Sequence, residues 1–203
     1  MNSILASKWL KPTVFLLCLL PAAQLGLAAL LDNLGPDPVK SIAHFTGSCT
    51  LIFLLLTLSI SPSRRHLRLP DLIRLRRMLG LFAFFYASLH FLTWIGLDRD
   101  FQLTEMLRDI RRRPFITVGF TGFVLMLPLA LTSTSGWVRR LGGKRWHALH
   151  RLIYASAIAG VIHYRWLAKS RDPAPFIYIT ALLLLLLDRA RVWLQHRTPS
   201  PAP

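Results

Sequence analysis

Met78-Leu79-Gly80-Leu81-Phe82-Ala83-Phe84-Phe85-Tyr86-Ala87-Ser88-Leu89-His90-Phe91-Leu92-Thr93-Trp94-Ile95-Gly96-Leu97 holds no Asp, Glu, Lys or Arg in 20 residues and only one histidine. As a helix it rises about 30 Å, the thickness of a bilayer's hydrocarbon core. Arg74, Arg76 and Arg77 flank it on one side, Asp98, Arg99 and Asp100 on the other. An apolar stretch of this length, bounded by charge, predicts a membrane-spanning helix, because unpaired backbone amides do not survive in hydrocarbon.

Outward from it, five further stretches read the same way: 12–31, 44–60, 115–133, 149–168 and 175–194. Composition agrees, with 53% hydrophobic residues among 203 and a mean hydropathy of +0.45, above the range of soluble domains. The expected fold is all-α: one polytopic bundle over residues 1–203, of about six transmembrane helices with both termini cytoplasmic. The second span is short, and the fifth carries charge near both ends. The first also has the outline of a signal peptide, with Lys8 and Lys11 before the apolar run and Pro21-Ala22-Ala23 as small residues for cleavage.

The net charge of +16 would suggest nucleic acid in a soluble protein. Its distribution excludes that reading. With the N-terminus inside, the inner segments hold 16 basic residues and only two acids, Asp71 and Asp188; the outer segments hold nine and seven. Lys and Arg resist translocation, so the excess orients the chain in the membrane. Arg111-Arg112-Arg113, on the outer side, is the one run against this trend.

Cys18 and Cys49 lie in apolar spans and read as small hydrophobes. There is no metal-type cysteine spacing, no glycine-rich phosphate loop and no soluble segment large enough for a nucleotide. A hydride donor must therefore bind elsewhere.

The histidines carry the chemistry. His66 and His196 fall in basic inner segments, and His44 opens the second span near the outer interface. His90 lies deep in the third span and His163 deep in the fifth. An ionisable group inside the bilayer is costly and marks a site with a partner. Counted from the inner end of each helix, His90 is about 18 Å in and His163 about 22 Å in. Two imidazoles at one level on neighbouring helices suit a flat macrocycle ligated from both faces, a low-spin electron-transfer haem. Interhelical hydrogen bonding explains such histidines equally well from burial alone.

His147 and His150 lie at the inner end of the fifth span. His150 suits a second haem less well. On an ideal helix it falls about 140° from His163, and the matching depth on the third span is occupied by Arg76 or Arg77. The tryptophans at span ends read as an aromatic belt, and Arg74, Arg77, Arg145 and Arg151 as inner anchors, or as partners for haem carboxylates. Leu103, Met106, Leu107 and Ile110 recur at helical spacing, with Glu105, Arg108, Asp109 and Arg112 off that face. They predict an amphipathic helix on the outer membrane surface, as an anchor or part of a docking platform.

Asp37-Pro38-Val39-Lys40, His44-Phe45-Thr46-Gly47, Arg76-Arg77-Met78-Leu79-Gly80-Leu81, Leu129-Ala130-Leu131-Thr132-Ser133-Thr134, Leu141-Gly142-Gly143-Lys144-Arg145-Trp146 with Leu149-His150, and Ile162-His163-Tyr164 together resemble the haem-binding membrane subunit of the bacterial methionine sulfoxide reductase system. The resemblance runs from the first span to the sixth and extends to the wider ferric reductase-like transmembrane domain. It implies a multi-pass subunit of the bacterial inner membrane. Such a subunit takes electrons from the quinone pool or a flavin reductase and delivers them to a periplasmic molybdopterin-containing methionine sulfoxide reductase that repairs oxidised envelope proteins. It implies haem b, one or two, with His90 and His163 as axial ligands of one iron and His150 associated with a second. It also implies FMN, without assigning residues to it. The chain departs from the two-haem pattern at the third span, where the inner histidine is absent. Two other classes stand beside this one: a ferric or quinone reductase that works alone, and a cofactor-free assembly protein.

Overall fold

In the computed structural model, which describes residues 8–169 and 171–195, Asp37-Pro38 starts a helix well before the apolar run at His44. The Asp37 carboxylate accepts from the backbone N–H of Lys40 at 3.1 Å, and Pro38 sits in the first turn, where its missing N–H costs nothing. The resulting α2 (Pro38–His66) has 29 residues, so the span that looks short by hydropathy is a long helix with polar ends. The other helices are α1 (Leu10–Leu30), α3 (Ile73–Leu92), α4 (Leu103–Arg112), α5 (Pro114–Leu131), α6 (Ser135–Leu149), α7 (Leu152–Leu167) and α8 (Ala174–Gln195). A 3-10 turn, Pro70–Leu72, leads into α3, and a π-helical turn, Thr93–Asp98, continues it. Among the described residues there is no strand. His196 and Arg197, assigned to the inner side by sequence, lie outside them.

Six of these helices coincide with the six expected spans, and α4 with the expected surface helix. By length and composition four can cross a membrane: α1, α2, α3 with its flanking turns, and α5. α7 is shorter, at 16 residues, and α8 carries Asp188, Arg189 and Arg191 near its C-terminal end. The chain is a membrane protein by its apolar helices. Leu16, Leu17 and Leu20 on α1 and Leu183, Leu184 and Leu187 on α8 are exposed, a distribution that suits lipid rather than water.

α2, α3, α5 and α7 form the centre; α1 leans on α3 and α2, and α8 on α2 and α7. With lipid as the competing solvent, close approach and interhelical hydrogen bonds hold helices together. α5 and α7 show both. A Cβ added at Gly122 would come 3.3 Å from Ala159, and the Ser156 hydroxyl donates to Gly122 O at 2.8 Å. At the basic end, Asp188 of α8 pairs with Arg65 and His66 of α2, and Arg189 donates to Ser61 Oγ at 2.8 Å.

α1 is attached through a defect of its own. Pro21 interrupts its hydrogen-bond ladder, and the fully buried Tyr86 of α3 inserts its hydroxyl there, donating to Cys18 O at 2.7 Å and accepting from Ala22 N at 3.1 Å. α4 differs from its sequence reading in one respect: Asp109 is buried rather than turned to water. Arg99 and Arg113 neutralise it at 2.5 and 3.1 Å. Leu103 and Leu107 are exposed instead, as an interfacial helix requires.

Tyr86→Phe is expected to loosen α1 at the Pro21 break, costing about 1–3 kcal/mol for the buried groups left unpaired. Thermal unfolding in detergent should show the lower midpoint; an unchanged midpoint would mean that α1 closes its own ladder.

Candidate functional site

A cavity of about 550 Å³ lies between α2, α3, α5 and α7, within the size range of cofactor sites. His90, in the last turn of α3, and His163, just before the last turn of α7, both line it. Their ring centroids are 6.1 Å apart and the rings are inclined at 76°. Two metal–imidazole bonds of about 2 Å each, with half a ring beyond each nitrogen, span about 6 Å. The two imidazoles meet, as their similar depths on neighbouring helices require.

The two rings are seated by the same device. His90 Nδ1–H donates to Ala43 O at 2.8 Å, and His163 Nδ1–H donates to Phe115 O at 2.6 Å. A carbonyl only accepts, so each bond places the hydrogen on Nδ1 and leaves Nε2 with a lone pair, the tautomer of a metal ligand. One turn on from each carbonyl stands a glycine against the ring. A Cβ at Gly47 would lie 3.2 Å from His90 Nδ1, and one at Gly119 only 2.6 Å from His163 Nδ1. Thr46, fully buried and hydrogen-bonded to Ile42 O at 2.7 Å, lies 3.5 Å from His90 Nδ1.

Two imidazoles do not complete the shell of a bare ion. Among the described residues no cluster of three or more His, Cys, Asp or Glu could hold one. What fits is a group that brings its own in-plane ligands, and haem is such a group. Trp94, in the π-helical turn, also lines the cavity, and its buried Nε1–H has no partner in the protein. A buried donor without a partner, on a residue that lines an apolar cavity, suits a polar group on a ligand. Hydropathy alone put Trp94 in the interfacial belt; its place four residues after His90 was the available signal.

His150 stands apart. The fifth span does not begin there as one helix: α6 ends at Leu149, His150 caps it, and α7 starts at Leu152. The angle drawn between His150 and His163 on a continuous helix therefore does not apply. His150 lines a second cavity of about 260 Å³ at the basic end, with Arg76, Arg77, Trp146 and His147. Trp146 stacks on its ring at 3.8 Å between centroids. Because the Thr132 hydroxyl already donates to Pro128 O at 2.6 Å, His150 Nε2–H donates to Thr132 Oγ1 at 3.1 Å, leaving Nδ1 as the free nitrogen. Arg76 and Arg77 are where the depth count put them, and no second histidine of α3 faces His150. Trp146, like Trp94, is more than a belt residue: its Nε1–H donates to Thr132 O at 2.9 Å.

Residues 42–161 match the family described as the ferric reductase like transmembrane component. Over 195 residues the chain is 50% identical to the protein-methionine-sulfoxide reductase heme-binding subunit MsrQ of Herminiimonas arsenicoxydans, covering 95% of this chain and 89% of that one. The chain belongs to the MsrQ family of ferric reductase-like membrane proteins. The MsrQ subunits of Azospira oryzae, 47% identical over 94% of this chain and 85% of theirs, and of Ralstonia nicotianae, 46% identical over 89% and 83%, agree. The ferric reductase-like match takes in α2 to most of α7, with His90 and His150 inside it and His163 two residues past its end. A membrane subunit for electron transfer is the role this membership supports.

Gly119→Ala is expected to push the His163 ring off the Phe115 carbonyl. Ring-nitrogen NMR of histidine-labelled protein should show a changed His163 signal with His90 unmoved, and a smaller effect on His90 from Gly47→Ala.

Proposed function

We propose that this chain is the haem b-bearing electron-transfer subunit of a protein-methionine-sulfoxide reductase system, with His90 and His163 as axial ligands of one iron. The observation that carries this reading is the pair of imidazoles 6.1 Å apart, each with Nδ1 committed to a carbonyl. A haem bound there supplies reversible one-electron chemistry. The protein's part is to hold both Nε2 atoms inward, to exclude water with Phe91, Phe120 and Phe123, and to set the iron's potential through imidazole ligation.

In this reading the basic end is cytoplasmic, six helices cross the bacterial inner membrane, and electrons arrive at the cavity around His150 from the quinone pool or a flavin reductase. His150, through its free Nδ1, is the ligand for a second haem if one is held. Leu54 and Met126 line both cavities, and Phe84 of the smaller one stacks on Phe123 of the larger at 5.8 Å, so the two sites adjoin. Electrons leave on the side of α4 for a periplasmic, molybdopterin-containing catalytic subunit; the relatives' name, a heme-binding subunit of a protein-methionine-sulfoxide reductase, supports a separate catalytic subunit. The ferric reductase-like match favours one other reading, a reductase that works alone. Under our proposal, methionine sulfoxide reduction driven through this chain stops when the catalytic subunit is withdrawn; a stand-alone reductase keeps its turnover.

The primary test is haem stoichiometry with reduced-minus-oxidised spectra. His90→Ala and His163→Ala should each abolish the same low-spin component, and His150→Ala should spare it. Haem lost only from His150→Ala would overturn the assignment.

A further inference from the structure

We propose that Trp94, Arg113 and Lys40 form the seat for the carboxylate groups of the macrocycle held between His90 and His163, so that its acidic edge faces the α4 side of the bundle. The inference rests on the reading of that cavity as a haem site.

Among the described residues Trp94 Nε1 is the one buried side-chain nitrogen or oxygen without a partner, and Trp94 lines the cavity. It stands in a π-helical turn, a local widening of the helix that recurs at functional sites. Lys40, in the first turn of α2, and Arg113, just before α5, line the same cavity at the same end. An indole N–H and two cations suit carboxylates, whose hydrogen bonds to charged donors are the strong ones. The acids nearby are already engaged. Asp37 caps α2 on Lys40 N, and Asp98 pairs with Arg99 at 3.4 Å.

Arg113 is held rather than free. Its Nε pairs with Asp109 at 3.1 Å, and a guanidinium keeps further donors when one is taken. Asp109, buried in α4 and shared with Arg99 at 2.5 Å, is in this account a positioning residue. It ties the surface helix to the rim of the cofactor cavity, so α4 and the bound group are mechanically linked.

The test uses the full-length chain, produced without haem and reconstituted in detergent, titrated with haem b and with its dimethyl ester, whose carboxylates are blocked. Soret absorbance reads the dissociation constants. The ester should bind wild type about tenfold or more weakly than haem, the size of one charge-assisted hydrogen bond. Trp94→Phe and Arg113→Gln should each weaken haem while leaving the ester nearly unchanged, so that the two ligands converge. Equal binding of haem and ester to wild type overturns the seat without touching the histidine ligands, and it needs no variant that must fold. If His90→Ala binds both ligands as wild type does, the haem reading fails first, and the seat falls with it.

Discussion

Each of the two deep histidines gives its Nδ1 hydrogen to a backbone carbonyl of an adjacent helix, and everything else in the site follows from where those carbonyls stand. A buried imidazole must satisfy its donor. Here Ala43 of α2 and Phe115 of α5 do so with lone pairs that their own helices leave spare. The bond sets the tautomer, aims Nε2 inward and fixes the ring. Gly119 leaves room where a methyl group would collide with the His163 ring, and Gly47 where one would crowd the His90 ring. A pair of helices on each side, α2 with α3 and α5 with α7, thus presents one nitrogen apiece to a shared cavity.

The packing around this centre is arranged so that the cavity can stay open without unfolding the bundle. α5 and α7 close on each other through Gly122, Ser156 and Ala159, while Leu54, Ala83, Tyr86 and Ala157 fill the middle. The outer helices do different work. α1 is fastened by the Tyr86 hydroxyl in the gap left by Pro21, and α8 by Asp188 to the end of α2. Charge sits at the two ends: Arg76 and Arg77 border the smaller cavity, and Lys40 and Arg113 the larger.

Much of this was legible in the chain. Six apolar stretches became helices within a few residues, apart from the polar extensions of α2, which a capping Asp37-Pro38 starts where hydropathy sees nothing. The leucine spacing found α4. It missed the burial of Asp109, because periodicity reports which face is apolar and not which charges will find partners. The break at His150 escaped for a similar reason: Trp146 to Arg151 contains no proline or glycine to mark the end of a helix, and the turn forms where Thr132 and Trp146 bind the ring.

Sequence by itself determined that the chain belongs in a membrane, which end is basic, and that His90 and His163 share a depth, since these depend only on composition and on the fixed rise of a helix. Tertiary structure decided that the two rings face one cavity rather than separate neighbours, that Trp94 lines it with its N–H unpaired, and that His150 belongs to another. Rotation about a helix axis is set by packing between helices far apart in the chain, and no local pattern encodes it.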